Sequence, residues 1–186
     1  MARTPAQLTG PEWQWIVAAN APMVHFLNEP ERQPNLSPSA AAALWRDHML
    51  AQLRSPSNGR TKLVGPSVAS DGPGRAWLRE FMGLLSRERG EWPDYLGVHY
   101  YGTDAGEAIR YVEGMHGEFG GLPVVVSEIA CVSRDGGEVE RFTAAAANWM
   151  DATEWVVEYG FFGCMAEVAD DVSTACPGRW GRRYAC

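Results

Sequence analysis

Two glutamates stand where this sequence offers chemistry. Glu29 lies in HFLNEPE and Glu128 in PVVVSEIA, each where an apolar run gives way to a polar residue followed by Glu. The runs over residues 23–27 and 123–126 are short and bounded by proline, so they read as buried parallel strands. If both strands belong to one barrel or sheet, both carboxylates emerge at its C-terminal edge, where α/β enzymes keep their chemistry. Two carboxylates converging on one cleft are what glycoside hydrolysis requires, one protonated as acid and the other ionised as nucleophile or base. A retaining pair stands about 5–5.5 Å apart. Singly, each motif also has a plainer reading, because a Glu just past a strand is often a helix-cap neighbour and Asn-Glu-Pro alone makes a turn.

The elements that must carry these residues follow from the hydrophobic pattern. Residues 10–19 read as the end of a helix, with Trp13 and Ile16 at helical spacing, and the first strand over 23–27 then delivers Asn28 and Glu29. Ser37 is placed to cap a helix with Pro38 at its first position, running through AAAALWRDHMLAQL, and SPSNG reads as a turn. A second strand is predicted over 62–68, and Trp77, Leu78, Phe81, Met82 and Leu85 then mark one helical face. A third strand over 95–101 precedes a helix bearing Ile109, Val112, His116 and Phe119, and a fourth covers 123–127. A helix over 138–150 leads to the fifth strand, 156–162. From Asp170 the chain reads as a loop-like tail. Five strands alternating with helices imply a parallel α/β domain with right-handed crossovers.

Composition bounds the function classes. The chain has 186 residues, 46% hydrophobic and 11% aromatic, enough for one domain with a sizeable core. Its 16 basic residues are outnumbered by 23 acidic ones, and the net charge of −7 disfavours nucleic acid as a partner. No apolar run approaches the roughly 18 residues of a membrane span, so no membrane partner is expected. MARTPAQLTGPEW lacks the charged and apolar regions of a secretory signal. No phosphate-binding loop, P-loop lysine or HExxH helix appears, and neither a metal nor an organic cofactor is expected. Cys131, Cys164, Cys176 and Cys186 match no zinc spacing. They read either as buried small hydrophobes or as one or two disulfides of an extracellular protein.

The order NEP, PSVAS, VHYYG, SEIA, YGFFG, with helical segments between, closely resembles the alkali-sensitive-linkage-protein-like glycosyl hydrolase catalytic core. This is glycoside hydrolase family 128, a set of β-1,3-glucanases, and the resemblance runs from about Trp13 to Tyr184. It implies that Glu29 is the general acid/base and Glu128 the nucleophile of a retaining, double-displacement hydrolase acting on β-1,3-glucan of cell walls. His99 and Tyr101 of VHYYG, which alternation points to one side, would lie in the cleft. Asn28 would meet the sugar 2-hydroxyl. Phe161 stands where the family commonly has Trp, keeping an apolar platform for a sugar face but losing the indole donor.

The resemblance also sets the expected architecture. The five predicted strands match the fourth to eighth of a (β/α)₈ TIM barrel, which usually takes about 250 residues. The first three strand–helix units are then missing, and residues 1–186 form one N-terminally incomplete catalytic core whose tail is 170–186. Such a half-barrel is expected to expose its edge at 23–27 and to aggregate when expressed alone. The alternatives are a catalytically impaired cell-wall or carbohydrate-binding protein, or a truncated gene product without activity. The partner implied is β-glucan polysaccharide, the assembly a monomer once the domain is complete, and the location extracellular or cell wall. If the last two strands are neighbours in the barrel, Cys131 and Cys164 make the favoured disulfide, and Cys176 with Cys186 would staple the tail. Trp45 and Trp77 read as core residues, and Trp92 and Trp180 as loop residues.

Overall fold

In a computed structural model, residues 1–54 and 61–163 are described, and the chain divides into two compact units at Gly97/Val98. The fold is mixed α/β with parallel strand pairs. Trp180, three of the four cysteines (Cys164, Cys176 and Cys186), the SPSNG turn and the tail lie outside the described residues. Cys131 is buried and has no disulfide partner among the described residues, and the expected pairing with Cys164 lies outside them.

The first unit begins with two short helices, α1 (Pro5–Thr9) and α2 (Glu12–Ala18), where the sequence reads as one. Gly10 is extended, with ψ 178°, and Pro11 has no N–H to continue a helix. Strand β1 (Met23–Asn28) follows, then a 3₁₀ turn, Pro30–Arg32. Helix α3 (Pro38–Leu44) starts under Ser37, whose Oγ accepts from Ala40 N at 3.1 Å. It continues as nine residues of π-helix, Trp45–Leu53, where the alanine-rich pattern predicts ordinary α-helix. Strand β2 (Lys62–Ser67) pairs with β1 in parallel, and α4 (Gly72–Gly83) is capped by Asp71, which accepts from Gly74 N at 2.9 Å.

The core of this unit is aromatic. Phe26, Trp45 and Phe81 are wholly buried, Trp77 nearly so, and the Trp77 and Phe81 rings stack at 5.6 Å. Indole N–H groups buried with them find carbonyls: Trp45 donates to Glu91 O at 2.8 Å and Trp77 to Leu36 O at 3.1 Å. Trp92 lies in a loop, as expected, where it is half-buried, donates to Leu85 O and lies under Arg87. The outer edge of β1 is not bare. Ala2 pairs in parallel with Phe26, Ala2 N–H donates to His25 O, and Asn28 N–H donates to Arg3 O. Backbone donors and acceptors at an edge are expensive to leave unmet, and the first residues of the chain meet them.

Strand β3 (Leu96–Gly102) carries the chain into the second unit, whose sheet has the order β3-β4-β5. Between the strands run α5 (Ala105–Glu118), capped by Asp104, and α6 (Gly136–Ala152), capped by Asp135. Strand β4 (Val124–Cys131) pairs in parallel with β5 (Val156–Phe161). Val124, Val125 and Val126 are all buried, as a strand covered on both faces requires. Tyr100 packs toward the helices, its ring 5.8 Å from Tyr111 of α5 and 6.4 Å from Phe142 of α6. Gly102 makes room for it, since a Cβ there would lie 2.6 Å from the Tyr100 hydroxyl. Among the described residues, no helix is long and apolar enough to cross a membrane.

Candidate active site

Both glutamates are delivered by irregular strand backbone. In β1 the register with β2 shifts between His25 and Phe26 and again between Phe26 and Asn28. Leu27 and Glu29 accordingly adopt left-handed backbone, with φ 33° and 40°. A residue with a Cβ pays about 1–2 kcal/mol for that conformation. The Glu29 N–H is tied to Ser67 O at 2.8 Å, and its side chain, 24% exposed, meets Arg32 Nε at 3.3 Å.

Strand β4 departs from the sequence pattern. The apolar run stops at Val126, but pairing resumes at Ile129 and the strand extends to Cys131. Glu128 therefore sits inside the strand, within the register shift between Val126 and Ile129, instead of beyond the strand's end. Such irregularities re-aim a side chain without ending the sheet.

Around Glu128 the second unit gathers two polar groups. The Tyr101 hydroxyl donates to Glu128 Oε2 at 2.5 Å, and His99 Nδ1 stands 3.6 Å from the same oxygen. His99 is wholly buried, while the Glu128 side chain keeps 20% exposure. Alternation along β3 explains the arrangement: His99 and Tyr101 face Glu128 while Tyr100 between them packs on α5 and α6. Phe161 rests edge-on against Tyr159 at 6.0 Å. The ring set against Tyr101 is that of Phe162, one position later, 44% exposed and 5.7 Å away edge-on.

Around Glu29 the first unit gathers Asn28, as expected, and three groups the sequence pattern does not mark, Glu31, Arg32 and Asp71. Asn28 engages its backbone N–H with Arg3 O and its carbonyl with Gln33 Nε2, while its Oδ1 is buried with no hydrogen-bond partner among the described residues. Glu31 is buried, with Oε1 accepting from Ala69 N at 2.8 Å. Burial is the largest influence on its carboxyl and pushes it above the ordinary glutamate value, against the Ala69 N–H, which favours the charged form. Arg32 joins Glu29 to Asp71, donating through Nη2 to Asp71 Oδ2 at 2.8 Å. Arg32 was visible three residues after Glu29. Nothing in the spacing points to Asp71. No group of three or more His, Cys, Asp or Glu suited to a metal ion occurs among the described residues.

Residues 4–177 match the family described as glycosyl hydrolase catalytic core. Solved structures agree in fold. An exo-β-1,3-glucanase of glycoside hydrolase family 128 (subgroup VI) from Aureobasidium namibiae superposes with a TM-score of 0.83 and 47% identity, over 92% of this chain and 66% of that one. Endo-β-1,3-glucanases of the same family align at 25% identity. One is from Sorangium cellulosum (subgroup II, TM-score 0.74, 92% of this chain and 70% of that one), the other from Lentinula edodes (subgroup IV, TM-score 0.68, 87% and 61%). The chain thus spans 66% of the Aureobasidium protein and 61% of the Lentinula one. No curated protein matches the sequence. Carried by a match over nearly its whole length, the chain belongs to the glycosyl hydrolase catalytic core family.

Proposed function

We propose that this chain is the catalytic part of a retaining glycoside hydrolase acting on β-1,3-glucan. The observation that carries the reading is the Tyr101 hydroxyl on Glu128 Oε2, beside the buried His99. A carboxylate that must attack a carbon needs one oxygen held and the other presented. With Oε2 engaged by Tyr101, Oε1 attacks the anomeric carbon. Glu29, as a carboxylic acid, gives its proton to the departing glycosidic oxygen, and the sugar becomes an ester of Glu128. Glu29, now a carboxylate, takes a proton from water, whose oxygen displaces Glu128 and restores the original anomeric configuration. The unmet Oδ1 of Asn28 suits a sugar hydroxyl, whose donor it would accept. Phe161, or the exposed Phe162, offers the apolar face a sugar ring stacks on.

The five strands, with helical segments between them, fit the fourth to eighth strands of a (β/α)₈ barrel, in keeping with the share of the Aureobasidium chain they span. A location outside the cell or in the wall follows from the substrate.

The test separates the two glutamates. Glu128→Gln is expected to abolish turnover of laminarin and of activated aryl glycosides alike, because no nucleophile remains. Glu29→Gln is expected to spare glycosylation of activated substrates and to recover turnover with added azide. Proton NMR of the first product should find the β-anomer. Initial release of the α-anomer, or equal losses in both variants without azide rescue, overturns the assignment.

A further inference from the structure

We propose that Arg32 is a positioning residue for proton transfer by Glu29, held to its task by Asp71. The inference rests on the reading of Glu29 as acid/base. Pairing of β1 with β2 reaches its last partners at Asn28 and Ser67. Beyond that point the two loops leaving the strands remain fastened in step. Glu29 N–H donates to Ser67 O at 2.8 Å, Ala69 N–H to Glu31 Oε1 at 2.8 Å, and Arg32 Nη2 to Asp71 Oδ2 at 2.8 Å. Three successive ties, 29 to 67, 31 to 69 and 32 to 71, carry the strand register into the turn that holds Glu29.

The far end of this brace is itself fixed. Asp71 uses Oδ1 to cap α4 at Gly74 N, 2.9 Å away, and Oδ2 to hold Arg32. Gly74 lies so close to the preceding loop that a Cβ there would come within 2.3 Å of Ala69 O. Arg32 then presents Nε to Glu29 Oε2 at 3.3 Å and, at 3.9 Å, to Glu31 Oε1. The rigid guanidinium presents Nε and Nη2 in fixed, separated directions to the two carboxylates, whereas a lysine ammonium carries its donors on one freely rotating nitrogen and is a poor substitute. Glu31 adds a second anchor: its side chain is buried beside Arg32, and its Oε1 accepts from Ala69 N at 2.8 Å, so the turn is held from below as well as through Arg32.

The physical role is restraint. Glu29 must present its proton to one oxygen and later receive one from water, and a misplacement of about 1 Å costs on the order of 100-fold in rate. Arg32 is 55% exposed, so its replacement removes the restraint without opening the core.

The experiment compares the full chain and its variants on laminarin, whose departing sugar needs a proton, and on 2,4-dinitrophenyl β-laminaribioside, whose departing phenolate does not. Arg32→Ala is expected to lower kcat/KM on laminarin about 10- to 100-fold and on the aryl glycoside by less than about 3-fold, with Arg32→Lys recovering little. Asp71→Asn keeps the helix cap and should show the same split, smaller. Equal losses on both substrates, or an unchanged laminarin rate, overturn the inference. Glu29→Gln is measured alongside. A split there without one in Arg32→Ala sinks the Arg32 role alone, whereas no split in Glu29→Gln sinks the acid/base reading and the brace with it. Independently of turnover, crystals of Arg32→Ala should show the Glu29 carboxylate in several rotamers and the parent in one; a single shared rotamer overturns the restraint.

Discussion

Tyr101 touches its glutamate through one hydrogen atom, which makes its removal a clean measurement. Tyr101→Phe deletes a donor to Glu128 Oε2 and leaves the ring, with its edge against Phe162, in place. A hydrogen bond to a charged group contributes about 1.5–3 kcal/mol, so kcat/KM on glucan should fall roughly 10- to 150-fold with little change in melting temperature. A variant as active as the parent would remove Tyr101 from the site. At this scale the sequence was readable where residues share a strand: His99 and Tyr101 face Glu128 as alternation requires. It was unreadable where partners meet across loops. Arg32 and Asp71 are 39 positions apart, and only the paired strands beneath them bring those positions together.

The strands themselves were legible because buried parallel strands are short, apolar and bounded by proline or glycine. Their irregularities were not. Ser127 and Glu128 interrupt the apolar run, so the pattern stops at Val126, yet the hydrogen-bonded ladder resumes at Ile129. Likewise the Ala-rich stretch after Ser37 signals helix but not the wider turns of Trp45–Leu53. Asp94 shows how firmly the opposite end of β2 is held, accepting from Leu63 N at 2.9 Å, Arg54 Nη2 at 3.0 Å and Lys62 Nζ at 3.2 Å. Burial is the largest single influence and acts to raise its carboxyl; the Leu63 N–H and the two cations together outweigh it and hold the group below the ordinary aspartate value. Stability from Asp94 is therefore present above the unfolded value and lost as pH falls through the depressed folded one. Asp94→Asn should lose about 1.5–3 kcal/mol at neutral pH, and urea melts of variant and parent should converge in acid. A constant difference at every pH would contradict this account.

For the molecule as a whole, alternating strand and helix signals gave the α/β class directly. The division at Gly97/Val98 left no trace in composition, since the boundary falls inside β3. Coverage of the β1 edge by Ala2 and Arg3 was equally hidden, because two residues carry no periodicity. Net charge makes a separate prediction. A neutral polysaccharide carries no condensed counterions, so a chain at −7 with a pI near 5.1 has none to displace from it on binding. Laminarin affinity by calorimetry should change less than about twofold between 50 and 500 mM salt. A steep salt slope would point to a charged ligand instead.

The left-handed backbone at Glu29 has a consequence for evolution in the laboratory. With φ 40° and ψ 59°, this position favours glycine over every residue that carries a Cβ. Glu29→Gly should therefore melt higher than Glu29→Ala by about 1 kcal/mol in equilibrium unfolding, reversing their order at ordinary positions. Selecting a mutant library for thermal endurance alone would tend to enrich glycine here while discarding the acid on which turnover is proposed to depend. Selection for glucan growth would hold the glutamate against that pull. Sequencing position 29 after both regimes would expose a local conflict between folding and turnover, and glycine failing to outlast alanine under heat would show that the turn stores no such strain.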